Sequence, residues 1–95
     1  MKIRVELDAQ VVRFVRALAP EPRKLLRQAL RRLGDEKGDI KQLEGELGGY
    51  CRLRVRGYRV IVRFLTDEDG RVARCVYAER RSIVYEIFSE LLRGE

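Results

Sequence analysis

Residues 50–64, YCRLRVRGYRVIVRF, set a basic side chain against an apolar one at nearly every step, and that period of two points to paired strands. Strand side chains alternate between faces, so Arg52, Arg54 and Arg56 project together while Cys51, Leu53 and Val55 point the other way. Past the tight connection Arg56-Gly57, Arg59 and Arg63 share one face, with Tyr58, Val60, Val62 and Phe64 on the opposite one. If the two basic faces coincide, several guanidiniums converge with no carboxylate from these strands to neutralise them. Crowded like charges cost folding energy, so such a patch points to a polyanionic ligand. The plainer alternative is a solvated outer face. The acids lie in other segments, which favours the ligand.

The rest of the chain supplies what this hairpin packs against. Residues 2–7 (KIRVEL) alternate as a half-buried strand does. Asp8 is placed to cap a helix carrying Val11, Val12, Val15 and Leu18 on one stripe. Pro20 and Pro22 end it and start a second helix, with Leu25, Leu26, Ala29, Leu30 and Leu33 inward. Arg23, Arg27 and Arg31 recur every fourth residue on another face, a basic ridge with Arg32 alongside. Residues 34–49, rich in Gly and holding Asp35, Glu36, Asp39, Glu44 and Glu46, read as an acidic loop. Strands are expected at about 50–56, 57–65 and 71–78, the last two joined by the turn Thr66-Asp67-Glu68-Asp69-Gly70. A final helix, about 82–93, is expected to start at Ser82 as N-cap and to bury Val84, Ile87, Phe88 and Leu91. The expected fold is α+β in the order β-α-α-β-β-β-α. Residues 1–95 form a small single domain, with an N-terminal strand and helical hairpin on an antiparallel sheet and a C-terminal helix.

A chain of 95 residues, 45% hydrophobic and 38% charged, has room for one core and a heavily charged surface. Its net charge of +6 suits nucleic acid, an acidic protein partner, or both in turn. An arginine-rich surface from genome composition or a hot habitat would look the same by composition alone. The start MKIRV lacks the apolar stretch of a signal peptide, and no run approaches the roughly 20 apolar residues that cross a bilayer. A soluble, cytoplasmic protein without membrane contact is therefore expected. With no histidine and two well-separated cysteines, Cys51 and Cys75, neither a metal site nor a cofactor is expected, and both thiols are read as free and buried.

A second constellation, Glu79-Arg80-Arg81-Ser82-Ile83-Val84-Tyr85, falls where the last strand meets the last helix. A helix N-terminus offers backbone N–H groups to a phosphate, and adjacent arginines add to the attraction. Tyr85, one turn beyond Arg81, is placed to stack on a base or pass a proton; packing at the core margin is the plainer role.

Three stretches, Leu43-Glu44-Gly45, Tyr50 through Ile61 with its Gly57-Tyr58-Arg59-Val60-Ile61, and Arg81-Ser82-Ile83-Val84-Tyr85, resemble the RelE/ParE superfamily of type II toxins. The resemblance implies a compact sheet flanked by the helical hairpin and a C-terminal helix, and a cognate antitoxin that neutralises the toxin. It also implies, for RelE-like members, cleavage of mRNA in the ribosomal A site by ribose 2′-OH attack on the adjacent phosphate. By that resemblance Arg52 and Arg54 fall where RelE has catalytic lysines, Arg59 matches the arginine of its G-Y-R motif, and Tyr85 its late tyrosine. Glu79 falls where RelE has a further arginine, which Arg80 or Arg81 could replace; Glu79 could instead act as the base. Arg23, Arg27, Arg31, Arg56 and Arg80 are the expected RNA contacts. Arginine holds its proton too tightly for general acid or base work, so arginine in place of lysine is a departure. Two other readings follow from the same resemblance: a ParE-like DNA gyrase inhibitor without catalysis, and an inactive member that only binds an antitoxin. Arg59 is expected to be an exposed strand residue contributing little to stability.

Overall fold

The computed structural model describes residues 2–94. Its elements are β1 (Arg4–Leu7), α1 (Ala9–Ala17), α2 (Pro20–Leu33), β2 (Asp39–Gln42), a 3-10 turn (Gly45–Leu47), β3 (Cys51–Val55), β4 (Tyr58–Asp67), β5 (Gly70–Arg80) and α3 (Val84–Leu92). The strands form one sheet in the order β1-β5-β4-β3-β2. β1 runs parallel to β5 and all other neighbours are antiparallel, so the sheet is mixed. The α+β class and the expected order stand, with one further strand, β2, between α2 and β3.

Each face of the sheet has its own core. The helical hairpin lays Val11, Val15, Leu26, Leu30 and Leu33 on one face, against Leu53, Val60, Val62, Ala73 and Cys75. On the other, α3 brings Val84 and Phe88 onto Ile61 and Leu47. A β-bulge between the β4 residues Ile61 and Val62 produces part of this arrangement. Ile61 pairs with Tyr77 and Val62 with Cys75, which leaves Val76 as the extra β5 residue. Val76 and Tyr77 consequently both join the α3 cluster, because a bulge re-aims the side chains around it.

The N-terminal strand is anchored at both ends. The Ile3 N–H donates to the carbonyl of Gly34 at 2.7 Å. A Cβ on Gly34 would lie 3.3 Å from the carbonyl oxygens of Ile3 and Arg31, so this close approach suits a residue without a side chain. Where β1 stops, Gln10 takes over its pairing: its Nε2 donates to the Ala78 carbonyl at 2.7 Å, and its Oε1 accepts the Ala78 N–H at 2.8 Å. One carboxamide thus satisfies two backbone groups of β5 that no strand reaches.

Several local expectations need correction. Residues 34–49 are not only loop: they contain β2, paired through Asp39 with Arg54 and through Lys41 with Arg52. Ser82 is not the cap of α3, which starts at Val84 with Ile83 in the N-cap position. Asp8 occupies the N-cap position of α1 without a side-chain cap bond, because its carboxylate accepts from Arg74 Nε at 2.9 Å. Leu91 is 54% exposed, and of the apolar residues of α3 only Val84 and Phe88 are buried. The β4–β5 hairpin runs on through Thr66 and Asp67, where polar strand residues are solvated and only Glu68-Asp69 turn.

Candidate functional site

The register of the sheet aligns the chemistry-bearing residues. Asp39, Arg54, Arg59 and Glu79 form one lateral row across β2, β3, β4 and β5. The neighbouring row on the same face is Lys41, Arg52, Ile61 and Tyr77. Directly opposed strand residues have Cβ atoms about 5 Å apart, so three of the expected catalytic side chains, Arg54, Arg59 and Glu79, emerge as immediate neighbours.

The same face carries α3. Ile61 and Tyr77 pack with Val84 and Phe88, and Tyr85 lies half-buried at the margin of that cluster. Arg52, Arg54, Arg59 and Tyr85 therefore share one side of the molecule. Arg81 is tied to the same end of the sheet, because its backbone N–H donates to the Gly57 carbonyl at 2.9 Å. That bond brings the exposed Arg80-Arg81 junction beside the exposed Arg56-Gly57 turn. Arg80 is paired with Tyr58, on the hairpin side of the sheet rather than in the Arg59 row.

Two expectations about charge do not hold. The strand arginines are not free of carboxylates. Asp39 Oδ1 lies 3.1 Å from Arg52 Nη1, and Asp39 Oδ2 lies 2.7 Å from Arg54 Nε. Those guanidiniums hold the Asp39 carboxyl below the usual carboxylate range, the Arg52 hydrogen bond contributing most. Nor is Arg59 a freely exposed arginine. It is half-buried, and its Nη1 donates to the carbonyls of Arg56 and Tyr58, each at 2.8 Å. Glu79 Oε1 accepts the Arg80 N–H at 2.9 Å, which orients the carboxylate at the end of the row.

The other expected RNA contacts lie elsewhere. Arg23, Arg27 and Arg31 line one side of α2, which packs on the opposite face of the sheet from Arg52, Arg54 and Arg59. They form a separate basic surface. Between α2 and β3 lies a cavity of about 600 Å³, with Leu25, Ala29 and Leu53 among its apolar lining and Arg32, Arg54 and Arg56 among its basic residues. Arg54 thus belongs both to that cavity and to the cross-strand row.

Sequence reasoning missed Asp39, Lys41 and Tyr77. Asp39 and Lys41 lie in DIKQ, a run too short and too polar to separate from its glycine-rich surroundings. Tyr77 stacks on Phe88 at 6.0 Å between centroids, and burial, then the Glu79 charge, raises its phenol above the ordinary value. Tyr50 meets Phe88 edge-on at 5.0 Å and lies beneath Arg63, 5.7 Å from its ring. Among the described residues no group of three or more His, Cys, Asp and Glu side chains is placed to hold a metal ion.

Among solved structures, a chain of the toxin–antitoxin complex RelBE2 from Mycobacterium tuberculosis superposes with a TM-score of 0.71 at 20% identity, covering 85% of this chain and 100% of that one. The archaeal RelE–RelB complex from Pyrococcus horikoshii matches at 26% identity with a TM-score of 0.64, covering 85% and 97% of the two chains. The chain has the RelE-like fold. The YoeB/ParE toxin from Agrobacterium tumefaciens is similar in fold at 14% identity, with a TM-score of 0.64 over 83% of this chain and 99% of that chain. No family model and no curated protein sequence matches the chain.

Proposed function

We propose that this chain is a RelE/ParE-type toxin of a type II toxin–antitoxin pair and that it cleaves mRNA on the ribosome. The observation that carries the reading is the juxtaposition of Arg54, Arg59 and Glu79 on adjacent strands, with Arg52 in the next row. A phosphodiester lying across β3 and β4 meets guanidiniums suited to the charge that builds up as its phosphorus is attacked. Glu79 takes the proton of the ribose 2′-OH as that oxygen bonds to phosphorus. The bond to the 5′-oxygen breaks, and Tyr85 protonates the leaving oxygen. The products are a 2′,3′-cyclic phosphate and a 5′-hydroxyl. Arg81 and the Arg56 turn hold the flanking backbone, and Arg23, Arg27 and Arg31 form an outlying contact with RNA or ribosome.

The partner is a cognate antitoxin. Solved relatives from M. tuberculosis, P. horikoshii and Methanococcus jannaschii are toxin–antitoxin complexes. A net charge of +6 and the basic margin of the α2–β3 cavity suit an acidic, amphipathic segment. No described helix is long and apolar enough to cross a membrane, and the proposed site of action is the cytoplasm.

The test is induction in bacterial cells followed by primer extension on translated messages. New 5′ ends within codons, lost in Glu79→Gln and Arg54→Ala, are the expected result. Intact messages together with inhibited DNA gyrase supercoiling in vitro would replace the nuclease reading with a ParE-like one. That alternative draws support from a chain without histidine and with arginine where RelE has lysine.

A further inference from the structure

We propose that Asp39 is a built-in occupant of the phosphate position, a carboxylate that bridges Arg52 and Arg54 in the free protein and must yield when RNA binds. The inference rests on the phosphate-binding reading above and adds a residue that sets affinity and selectivity at that site.

The geometry carries it. The two oxygens of Asp39 are divided between two guanidiniums, Oδ1 to Arg52 at 3.1 Å and Oδ2 to Arg54 at 2.7 Å. The two non-bridging oxygens of a phosphodiester would satisfy the same pair of donors in the same bridging manner. Directly across the ladder from Arg54 stands Arg59, whose guanidinium is turned to the turn carbonyls. The Asp39 carboxylate therefore supplies the anion that Arg52 and Arg54 share.

The lock is made to open. The Asp39 side chain is 43% exposed and that of Arg54 55%, and exposed ion pairs are individually weak. Asp39 begins the four-residue border strand β2, and its exposed side chain can rotate off the two guanidiniums without disturbing the core. Arg52 behaves differently. Only 16% exposed, it also donates to the backbone carbonyl of Asp39 at 2.9 Å, a bond that any side chain at position 39 leaves in place. Arg52 stays aligned while Arg54 exchanges one anion for another.

The consequence is selectivity for a polyanion. A single small anion gains little by displacing a carboxylate already held at high local concentration, whereas RNA brings several phosphates and releases counterions along the whole basic face. Removing the carboxylate should raise affinity for any anion and blunt that discrimination.

The probe is a short 2′-O-methyl RNA, which binds and is not cut, titrated against wild type, Asp39→Asn, Arg54→Ala and the double variant. Expected are binding about fivefold tighter in Asp39→Asn, on the scale of a surface ion pair, and a log–log salt dependence steeper by about 0.7. The tightening should vanish in the Arg54→Ala background, and inorganic phosphate should compete better against Asp39→Asn than against wild type. A single cooperative melt of Asp39→Asn shows that the fold persists. If Arg54→Ala weakens binding while Asp39→Asn binds equally or more weakly, the phosphate site stands and the occupant is refuted: Asp39 then only aligns the arginines. If wild type binds no RNA, or Arg54→Ala binds as wild type does, both the site and the occupant fall.

Discussion

Arg54 and Arg59 stand directly opposite one another on β3 and β4, yet their guanidiniums turn to opposite sides, Arg54 to Asp39 and Arg59 to the carbonyls of Arg56 and Tyr58. Like charges facing each other across a ladder are destabilising, and this divergence relieves the repulsion. It also gives Arg59 two roles, in the site and in the turn.

Arg59→Ala should therefore cost stability as well as function. Losing two bonds to turn carbonyls is worth about 1 kcal/mol, or a drop in melting temperature of roughly 4–8 °C for a domain of this size. Arg59→Lys, which keeps the charge and not the planar fork, separates the two roles in a thermal melt paired with the primer-extension assay. Equal melting of wild type and Arg59→Ala would show that the turn bonds contribute nothing.

Gln10→Ala removes the carboxamide that pairs both backbone groups of Ala78, a residue with no exposed surface. Leaving such groups unpaired costs roughly 1–3 kcal/mol, read as a lower urea midpoint at unchanged slope. Native-state hydrogen exchange at Ala78 should rise in step.

Arg56 sits at φ 58°, in the left-handed region that a side chain disfavours. Arg56→Gly should stabilise the fold by up to about 1 kcal/mol, offset in part by the entropy of a more flexible unfolded chain. Should Arg56→Gly melt below wild type, the turn is held by something other than backbone preference. An accompanying loss of RNA affinity would mark Arg56 as a phosphate contact.

The thiols should differ in reactivity. Burial, and then the charge of Asp8, pushes the Cys75 thiol up to about 12, while Cys51 is half-buried and raised by burial alone. At about pH 8 a thiol reagent should modify Cys51 slowly and Cys75 only as the protein unfolds, because the thiolate is the nucleophile. Mass spectrometry of the two cysteine peptides settles the order.

Stability should fall in acid through particular aspartates. Asp39 is held below its ordinary value of 3.8 by Arg52 and Arg54, and Asp67 chiefly by Arg4. A carboxyl lowered on folding stabilises the native state fully above its unfolded value, and that contribution disappears as the pH drops through the folded one. The urea midpoint should be flat above about pH 5 and decline below 4. Asp67→Asn should show a shallower decline, as should wild type at about 1 M salt. An identical acid limb in Asp67→Asn would assign the decline to other carboxyls.

The sequence made the hairpin legible because its period was strong: Leu53, Val60 and Val62 are all buried on the helical side, as alternation requires. The gathering of Arg52, Arg54 and Arg59 on the other side followed from the same alternation. Register was the hidden quantity. That Arg59 faces Glu79, or that Asp39 faces Arg54, depends on how far each strand has slid past its neighbour, and the bulge at Val76 shifts that slide by one residue. Asp39 was hidden for a further reason: a four-residue border strand takes its order from pairing, and its own side chains carry almost no pattern.

The stitch between Gln10 and Ala78 has a consequence for what can join this sheet. An incoming ribbon of another polypeptide needs free donors and acceptors, and past the end of β1 a carboxamide from the protein's own first helix already fills those sockets. Growth of the sheet at that corner is closed off from within. The far border, four residues of β2, is then where a foreign strand would meet Asp39 and the arginines it holds.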